Sequence, residues 1–439
     1  MRLDWGRLIN DARVPYDDRP PRASRSVAFR TAFESDYDRV VYSPPFRRLA
    51  RKTQVHPMAP NDHVHNRLTH SIEVASVGRS FARRLAQFLK QRNELPSERS
   101  EDDLVWILMA ACAVHDIGNP PFGHAGEYAI REWSATHRDI IFPPGIEINE
   151  GIQHDVLLFE GNAQGFRIAA RADNPHVGYM RLTFASLGAM VKYPWDSLDR
   201  RALEQHKYNC FSSERDIFQT VFSHMGLESN GRFFRHPLSF LSEAADDICY
   251  RVLDLEDAAE LGVIAPRRVR DTYKNFLPDQ VLRDNMSLAE MRGQVISHLI
   301  KECWDVFERD YDAIMSGERE CDLKSDMRDY LLDGFECVKG LYQEIFSESQ
   351  KVSVELGAFK AIGRILKALC NAISELSRTP KDNDLMFITR RCLALAWSHD
   401  DIRINREHGY CWWLHQVLDY VSGLTDNYAR QLSREIEGT

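Results

Sequence analysis

The sequence predicts an all-α fold, and three observations lead to that prediction. Apolar residues recur at steps of three and four over long stretches, the spacing of one face of a helix. The long alternation of apolar and polar residues that is typical of half-buried strands is absent from the sequence. Polar or proline-broken runs, such as 91–103, 141–150 and 378–384, separate the periodic stretches. We therefore expect helices throughout, with room for one small β-hairpin.

The helical stretches follow one another along the chain. The first two are 72–89 and 104–114, and amphipathic helices return over 270–439. The clearest stretch, 238–259, alternates steps of three and four, as in Leu238, Leu241, Ala245, Ile248, Val252, Leu255 and Ala259. No run has the composition of a flexible linker. We expect one elaborated domain over 1–439, with a metal-binding core at 61–260 and a helical C-terminal extension at 261–439.

Composition and charge exclude several classes of protein. The 439 residues contain no apolar run of about 18 residues and no apolar core of a secretory signal near the N-terminus. Nine cysteines without a CxxC pair indicate reduced thiols in a cytoplasmic protein rather than a zinc–thiolate site. The net charge of −9 disfavours a protein built mainly to coat nucleic acid. Local basic clusters within an acidic chain fit a small anionic ligand better.

Residues 110–127, AACAVHDIGNPPFGHAGE, are the most informative stretch. An apolar run ends there in His115 and Asp116; His70 lies upstream in RLTHS, and Asp246 lies downstream in SEAADD. Imidazole and carboxylate ligands suit Mn, Fe, Co, Ni or Zn, and Mg when substrate oxygens complete the sphere. Two His and two Asp leave positions open on a six-coordinate ion, as a hydrolytic site requires. We expect one divalent metal ion per subunit.

Two further patterns predict roles beside the metal. His124 and Glu127 follow the metal pair by one turn, which favours catalytic roles over turn capping. Asp246, Tyr250 and Asp254 are spaced by four, so they project from one stripe of a helix and can face a cleft. Packing of Tyr250 in the core is the alternative for that ring.

The chain also contains a decoy. Trp397-Ser398-His399-Asp400 places a second His-Asp pair after an apolar run. Neither a glycine turn nor a following HxxE accompanies it, so we interpret His399 and Asp400 as an ordinary helix end.

These residues resemble the HD-domain phosphohydrolases, and longer motifs resemble the bacterial deoxyguanosine triphosphate triphosphohydrolases (dGTPases). The matching stretches, in family order, are FRRLARKTQV (46–55), NRLTHSIEVASVGR (66–79), HDIGNPPFGHAGE (115–127), FEGNAQGFRI (159–168), LGAMVKYP (187–194), EAADDICYRVLDLEDA (243–258) and DYVSGLTDNYA (419–429). The resemblance implies an all-α, metal-dependent homo-oligomer, a hexamer in the family. It also implies hydrolysis of a deoxynucleoside triphosphate to deoxynucleoside and tripolyphosphate.

Carried over residue by residue, the resemblance implies a role for each motif residue. The metal ligands would be His70, His115, Asp116 and Asp246. His124 and Glu127 match the catalytic pair. Gln54 and Asp254 match residues that hold the sugar 3′-hydroxyl, and Tyr250 matches the tyrosine packed against the deoxyribose. The triphosphate would be held by Asn162, Lys192, Tyr193 and Lys207.

We therefore expect a dNTP triphosphohydrolase that prefers dGTP, in which water made acidic by the metal attacks the α-phosphorus. His124 would transfer a proton either to the departing 5′-oxygen or from the water, and the sequence leaves both open. Two alternatives remain: an HD phosphohydrolase that acts on another nucleotide, and a regulator that responds to dNTP or single-stranded DNA. The resemblance makes single-stranded DNA a candidate partner, although the net charge of −9 does not support it.

Overall fold

The computed structural model describes residues 2–15, 21–23, 29–54, 64–171, 180–283, 285–346 and 349–438. Residue 55, the last of the 46–55 stretch, lies outside these ranges. Helices dominate the described chain, so the predicted all-α class is confirmed. None of the described helices combines the length and the apolar composition that a membrane crossing requires.

The first half of the described chain contains eleven α-helices. They are α1 (Trp5–Leu8), α2 (Ala32–Tyr42), α3 (Pro44–Arg48), α4 (Arg67–Gln91), α5 (Glu101–Val114), α6 (His124–Thr136), α7 (Arg138–Ile141), α8 (Glu150–Leu157), α9 (Gly161–Ala170), α10 (Phe184–Met190) and α11 (Arg200–Gln205). The remaining α-helices in the described ranges are α12 (Arg215–His224), α13 (Pro237–Glu260), α14 (Pro266–Lys274), α15 (Leu288–Arg309), α16 (Tyr311–Ser316), α17 (Asp329–Phe346), α18 (Ser349–Arg378), α19 (Phe387–Ala396), α20 (His399–Asn405), α21 (Tyr410–Gly423) and α22 (Asp426–Glu437). Short 3-10 turns occur at Leu49–Arg51, Ser212–Glu214, Lys324–Asp326 and Asp382–Asp384.

Two antiparallel pairs of two-residue strands accompany the helices in the described ranges. The first pairs β1 (Ala12–Arg13) with β2 (Arg22–Ala23), in the register Ala12 to Ala23 and Arg13 to Arg22. The second is a hairpin of β3 (Glu228–Ser229) and β4 (Arg232–Phe233), in the register Glu228 to Phe233 and Ser229 to Arg232. Asn230 and Gly231 close the hairpin with φ of 52° and 76°, the backbone that an Asn-Gly hairpin turn adopts.

Capping residues set the helix starts that position the site. Asn66 caps the start of α4: its side chain accepts from the N–H groups of Leu68 and Thr69, and the Thr69 hydroxyl accepts from the Asn66 N–H. This start places His70 in the first helical turn. Ser100 and Asp103 form the same reciprocal box at the start of α5, which ends at Val114. The chain therefore leaves α5 directly into the His-Asp pair.

The buried apolar residues form two clusters. The larger joins α2, α4, α5, α10, α13 and α15 and includes fully buried Phe81, Leu108 and Leu241. The second joins α6 and α8 to α18, α21 and α22 and includes the buried residues Ile130, Ile362 and Trp413. Because α6 begins at His124, the C-terminal helices pack directly behind the site. The domain division at 260/261 stays a prediction.

Candidate active site

A cavity of about 690 Å³ opens between the two clusters. Its wall combines the start of α4, the turn after α5, the starts of α6 and α9, the 192–207 segment, α13 and α18. The predicted site residues that line it are Gln54, His115, Asp116, His124, Glu127, Asn162, Lys192, Tyr193, Lys207, Asp246 and Tyr250. The cavity therefore collects residues from almost every motif of the sequence.

His70, His115 and Asp246 form the group of side chains best suited to a metal. One ligand atom from each lies within 4.8 Å of the others. His70 Nε2 is 3.1 Å and His115 Nε2 is 3.3 Å from Asp246 Oδ1. Three elements supply them: the first turn of α4, the end of α5 and the middle of α13. Burial would raise the pKa of Asp246, but Lys192 and the two imidazoles hold that pKa well below its usual value, so the carboxylate is ionised.

Asp116 lies beside this group with one oxygen directed toward it. Its Oδ1 is 3.6 Å from His115 Nε2 and accepts a hydrogen bond of 2.6 Å from the side-chain amide of Asn119. Its Oδ2 accepts a 2.5 Å hydrogen bond from the Arg67 guanidinium. Burial opposes ionisation, yet Arg67 and His115 lower the Asp116 pKa below its usual range. Asp116 is thus a charged carboxylate held in place from two sides.

A tight turn carries the chain from Asp116 to His124. Gly118 packs against the backbone of α9, where a Cβ would lie 2.1 Å from the Gly165 nitrogen, so only glycine fits. Phe122 and Gly123 both have positive φ, 66° and 58°. The turn ends at His124, the first residue of α6.

His124 and Glu127 form a hydrogen-bonded pair at the mouth of the cavity. His124 Nδ1 is 2.8 Å from Glu127 Oε2, and the Gly161 N–H donates to Glu127 Oε1 at 2.8 Å. The Glu127 side chain is 4% exposed and that of His124 is 70% exposed. Burial would raise the Glu127 pKa, but the bond to His124 and the neighbouring cations lower it to about 2. A buried carboxylate therefore fixes an imidazole whose other nitrogen is free to face the cavity.

Two partly buried lysines also line the cavity. Lys192 Nζ is 2.6 Å from Asp246 Oδ2, and Lys207 Nζ is 2.7 Å from Glu160 Oε1. Burial alone would lower both lysine pKa values, but these carboxylates raise them, so both side chains are cationic. Asn162 adjoins the second pair, since its side-chain amide donates to Glu160 at 3.1 Å.

The predicted sugar contacts are only partly brought together. Tyr250 lines the cavity and stacks on Tyr342, with ring centroids 5.5 Å apart. Gln54 lines it too, and its buried Oε1 has no hydrogen-bond partner among the described residues. Asp254 is 2% exposed and does not line the cavity; its Oδ2 accepts from the Tyr342 hydroxyl at 2.9 Å. Asp246 and Tyr250 of the predicted stripe thus both line the cavity, whereas Asp254 lies beneath Tyr342.

Several cavity residues were not singled out from the sequence. Arg67 had a signal, because it lies three residues before His70 and so on the same helical face. Glu160 had none beyond its adjacency to Asn162. The α18 residues Val354 and Glu355 also line the cavity, about 100 positions after the last metal-type ligand. The decoy pair is separate: His399 begins α20, and its neighbour Asp400 is exposed.

Comparison with known proteins agrees with the motifs. The HD domain family model matches residues 67–148, which contain His70, His115 and Asp116. A deoxyguanosinetriphosphate triphosphohydrolase-like protein of Pseudomonas aeruginosa is 37% identical over 459 aligned residues, covering 99% of each chain. One from Synechocystis is 35% identical, with the same coverage. A deoxyguanosinetriphosphate triphosphohydrolase of Enterobacter is 34% identical over 65% of this chain and 60% of its own. The chain therefore belongs to the dGTPase family of the HD-domain phosphohydrolase superfamily.

Proposed function

We propose that this protein is a metal-dependent deoxynucleoside triphosphate triphosphohydrolase that prefers dGTP and releases deoxynucleoside and tripolyphosphate. One observation carries the proposal: a single cavity of about 690 Å³ is lined by His115 and Asp246 of the His–His–Asp group, by the His124–Glu127 pair and by two partly buried lysines. The volume suits a nucleotide. The names of the relatives supply the preference for dGTP.

The donor set fits a divalent cation. His115 Nδ1 must donate to the Cys112 carbonyl oxygen, 2.7 Å away, because a carbonyl can only accept. The lone pair is therefore on Nε2, a buried atom without a hydrogen-bond partner among the described residues. His70, His115, Asp116 and Asp246 would hold the ion, and Mn, Fe, Co, Ni, Zn or Mg are all compatible with these ligands. When bound, such an ion supplies Lewis acidity that stabilises charge on the phosphoryl oxygens.

The lysines support binding of a polyanion. A triphosphate needs several cations, and Lys192 and Lys207 are held charged in the wall of the cavity. Each is already paired with a carboxylate, so its position is fixed before substrate arrives. Asn162 and Tyr193 line the same cavity and would donate to phosphate oxygens.

The His124–Glu127 pair supports proton transfer. Glu127 is ionised and accepts a hydrogen bond from His124 Nδ1, so His124 Nε2 can take up or release a proton at the reacting phosphate. The same nitrogen could assist the attacking water or protonate the departing 5′-oxygen. Both roles use the same orientation.

The sugar would lie along Tyr250. The ring faces the cavity beside Asp246, so a nucleotide whose phosphate reaches Asp246 brings its sugar to Tyr250. Gln54 offers a buried carbonyl oxygen that can accept from a sugar hydroxyl. Asp254 could reach that hydroxyl only if Tyr342 gave up its bond to the carboxylate.

Product analysis in ¹⁸O-water tests this function. The purified protein is given each dNTP and each ribonucleotide with Mn²⁺ or Mg²⁺, and products are identified by mass spectrometry. We expect deoxyguanosine and tripolyphosphate, with one ¹⁸O in the tripolyphosphate, because water attacks phosphorus and the bond to the 5′-oxygen breaks. Release of monophosphate and pyrophosphate, or turnover confined to another nucleotide class, would show instead a different HD phosphohydrolase.

A further inference from the structure

The 419–429 motif has no role in the chemistry proposed above. It nevertheless contacts three segments that carry proposed site residues: α9, the segment before Gln54 and the turn before His124. It spans the end of α21 and the start of α22. Asp419 accepts from Gln164 and from Arg167 of α9, the helix that carries Asn162. Asp426 contacts the segment before Gln54 and the turn before His124.

Asp426 is a buried carboxylate, 3% exposed, at the first position of α22. Its Oδ2 accepts from the backbone N–H of Thr53 at 2.9 Å and from the Thr53 hydroxyl at 2.5 Å. Its Oδ1 accepts from the backbone N–H of Phe122 at 2.8 Å. Both oxygens are therefore occupied, one by each segment. The helix N-terminus favours the negative charge.

The donor at Phe122 lies in a demanding part of the backbone. Phe122 has a φ of 66°, a left-handed conformation that a large side chain rarely adopts without support. Two residues later the chain reaches His124. A bond that fixes the Phe122 N–H therefore fixes the entry to α6 and the placement of the imidazole.

Lys52 ties the same segments a second time. Its Nζ donates to the Asn119 carbonyl oxygen at 2.7 Å and to the Ser422 carbonyl oxygen at 2.6 Å. Asn119 in turn donates to Asp116. The adjoining backbone also pairs with the start of α4, through Thr53 and Asn66. The end of α21 and the start of α22 thus hold two segments in place. One is residues 52–54, which we call the Gln54 segment, and the other is the 117–123 turn that leads to His124.

We infer that Asp426 is a positioning residue, which sets His124 and Gln54 in one geometry through a single carboxylate. Its effect on turnover rests on the proposed function, whereas its effect on the two segments does not. Asp426→Asn keeps the shape but replaces one acceptor by an NH₂ group, so either Thr53 or Phe122 loses its acceptor. Because this side chain joins the two segments, losing its bond to one should loosen the other as well.

Hydrogen exchange of the metal-free protein tests the geometry without any activity. The control is Asp36→Asn, because Asp36 is also buried and accepts the N–H and hydroxyl of Thr183 at 2.9 and 2.6 Å, away from the cavity; its other oxygen pairs with Arg13 at 2.5 Å. We expect Asp426→Asn to speed exchange at 52–54 and 118–124, and Asp36→Asn to leave both segments unchanged. Equal exchange in the two variants would overturn the inference.

Kinetics then separate positioning from general destabilisation. We expect Asp426→Asn to lower kcat per folded molecule about 10- to 100-fold, with metal content retained. In a His124→Ala background the same substitution should cause little further loss, because the imidazole that it positions is gone. Losses that multiply in the double variant would overturn the inference. Failure of the wild type to release tripolyphosphate would overturn the proposed function and leave the exchange result to decide.

If Asp426→Asn does not fold, Thr53→Val provides the second reading. This substitution removes only the hydroxyl contact to Asp426. Among the described hydrogen bonds, Thr53 is linked to the turn before His124 only through Asp426. Faster exchange at 118–124 is expected, transmitted through the shared carboxylate. A change confined to 52–54 would count against the positioning role.

Discussion

Asp246 is the residue on which the proposed metal site depends most. It approaches His70, His115 and Lys192 together, each from a different part of the fold. Asp246→Ala should remove a ligand and leave Lys192 without its partner, so metal content and activity should both fall, activity by orders of magnitude. Metal analysis and dGTP turnover measure this. Asp400→Ala, in the decoy pair, is the control and should change neither metal content nor turnover. Wild-type metal content in Asp246→Ala would show that α13 supplies no metal ligand.

Tyr250 is the residue that should exclude a ribose. Its ring faces the cavity and is braced from behind by Tyr342, so a 2′-hydroxyl against it would find neither space nor a partner. Tyr250→Ala should narrow the ratio of kcat/KM between dGTP and GTP more than it changes metal content. Tyr311→Ala, a buried tyrosine outside the cavity, is the control for packing loss. An unchanged ratio would assign selectivity to the Gln54 segment.

Residue chemistry was the part most accessible from the sequence. His115-Asp116, followed by His124 and Glu127, is a local pattern whose spacing carries the geometry. The placement of Asp254 was not accessible, because a helical stripe fixes direction but not depth. Asp254 lies two turns beyond Asp246, where Tyr342 covers it. The assignments to catalysis and substrate stay predictions.

At the scale of elements, α4 and α13 carry His70 and Asp246, and His65 joins these helices. Its ring nitrogens lie 2.6 Å from Asp257 and 3.2 Å from Glu73, and the hydrogen bonds to these two carboxylates raise the His65 pKa to about 10. A raised folded pKa contributes stability that is complete below about pH 6.5 and is lost as pH rises through about 10. The junction should therefore weaken in alkali.

His65→Gln should lower the free energy of unfolding by about 2–4 kcal/mol at pH 6 and by progressively less toward pH 10. Urea unfolding at several pH values measures the difference from wild type. His298→Gln is the control, because burial lowers the His298 pKa and its contribution should not change between pH 7 and 10. A pH-independent effect of His65→Gln would show that packing, not the ion pairs, joins the helices.

The turn between α5 and α6 depends on Gly118. A Cβ there would meet the backbone of α9 at 2.1–2.2 Å, so Gly118→Ala must separate the turn from α9. We expect a loss of about 3 kcal/mol in the free energy of unfolding, together with weaker metal binding. Gly293→Ala, with open space around it in α15, should be neutral or stabilise by up to about 1 kcal/mol. Similar results for the two variants would mean that the turn can move away at little cost.

The elements themselves were predictable where local rules decide them. A few adjacent residues determine the helix caps at Asn66 and Ser100 and the Asn-Gly turn at 230–231. The packing of α18 against α6 was not predictable. Its contacts, such as Gly363 against Trp133, join positions more than 200 residues apart. Amphipathic periodicity shows which face of a helix is buried but not which other helix packs against it.

At the scale of the whole molecule, a buried ion network joins the proposed phosphate-binding helix to the C-terminal helices. Arg167 of α9 is 1% exposed and makes two parallel hydrogen bonds to Asp419, at 2.8 and 2.9 Å. It also pairs with buried Glu214. Ala163 of α9 and Leu418 of α21 both belong to the second hydrophobic cluster, so these two helices cannot separate without exposing the buried charges.

Arg167→Met tests that junction, because it keeps the length of the side chain but leaves Asp419 and Glu214 buried with much less positive charge. Breaking a buried pair from one side costs about 3–5 kcal/mol, so we expect a loss of that size in chemical unfolding. Arg171→Met is the matched control: Arg171 also pairs with Glu214, at 2.8 Å, but its side chain is 16% exposed, and about 1 kcal/mol is expected. If the two hydrophobic clusters unfold together, weakening the junction between them lowers the stability of both, so unfolding of Arg167→Met should remain a single transition. Two separate transitions would show instead that the C-terminal helices form an independent unit, and that the site is assembled from two domains.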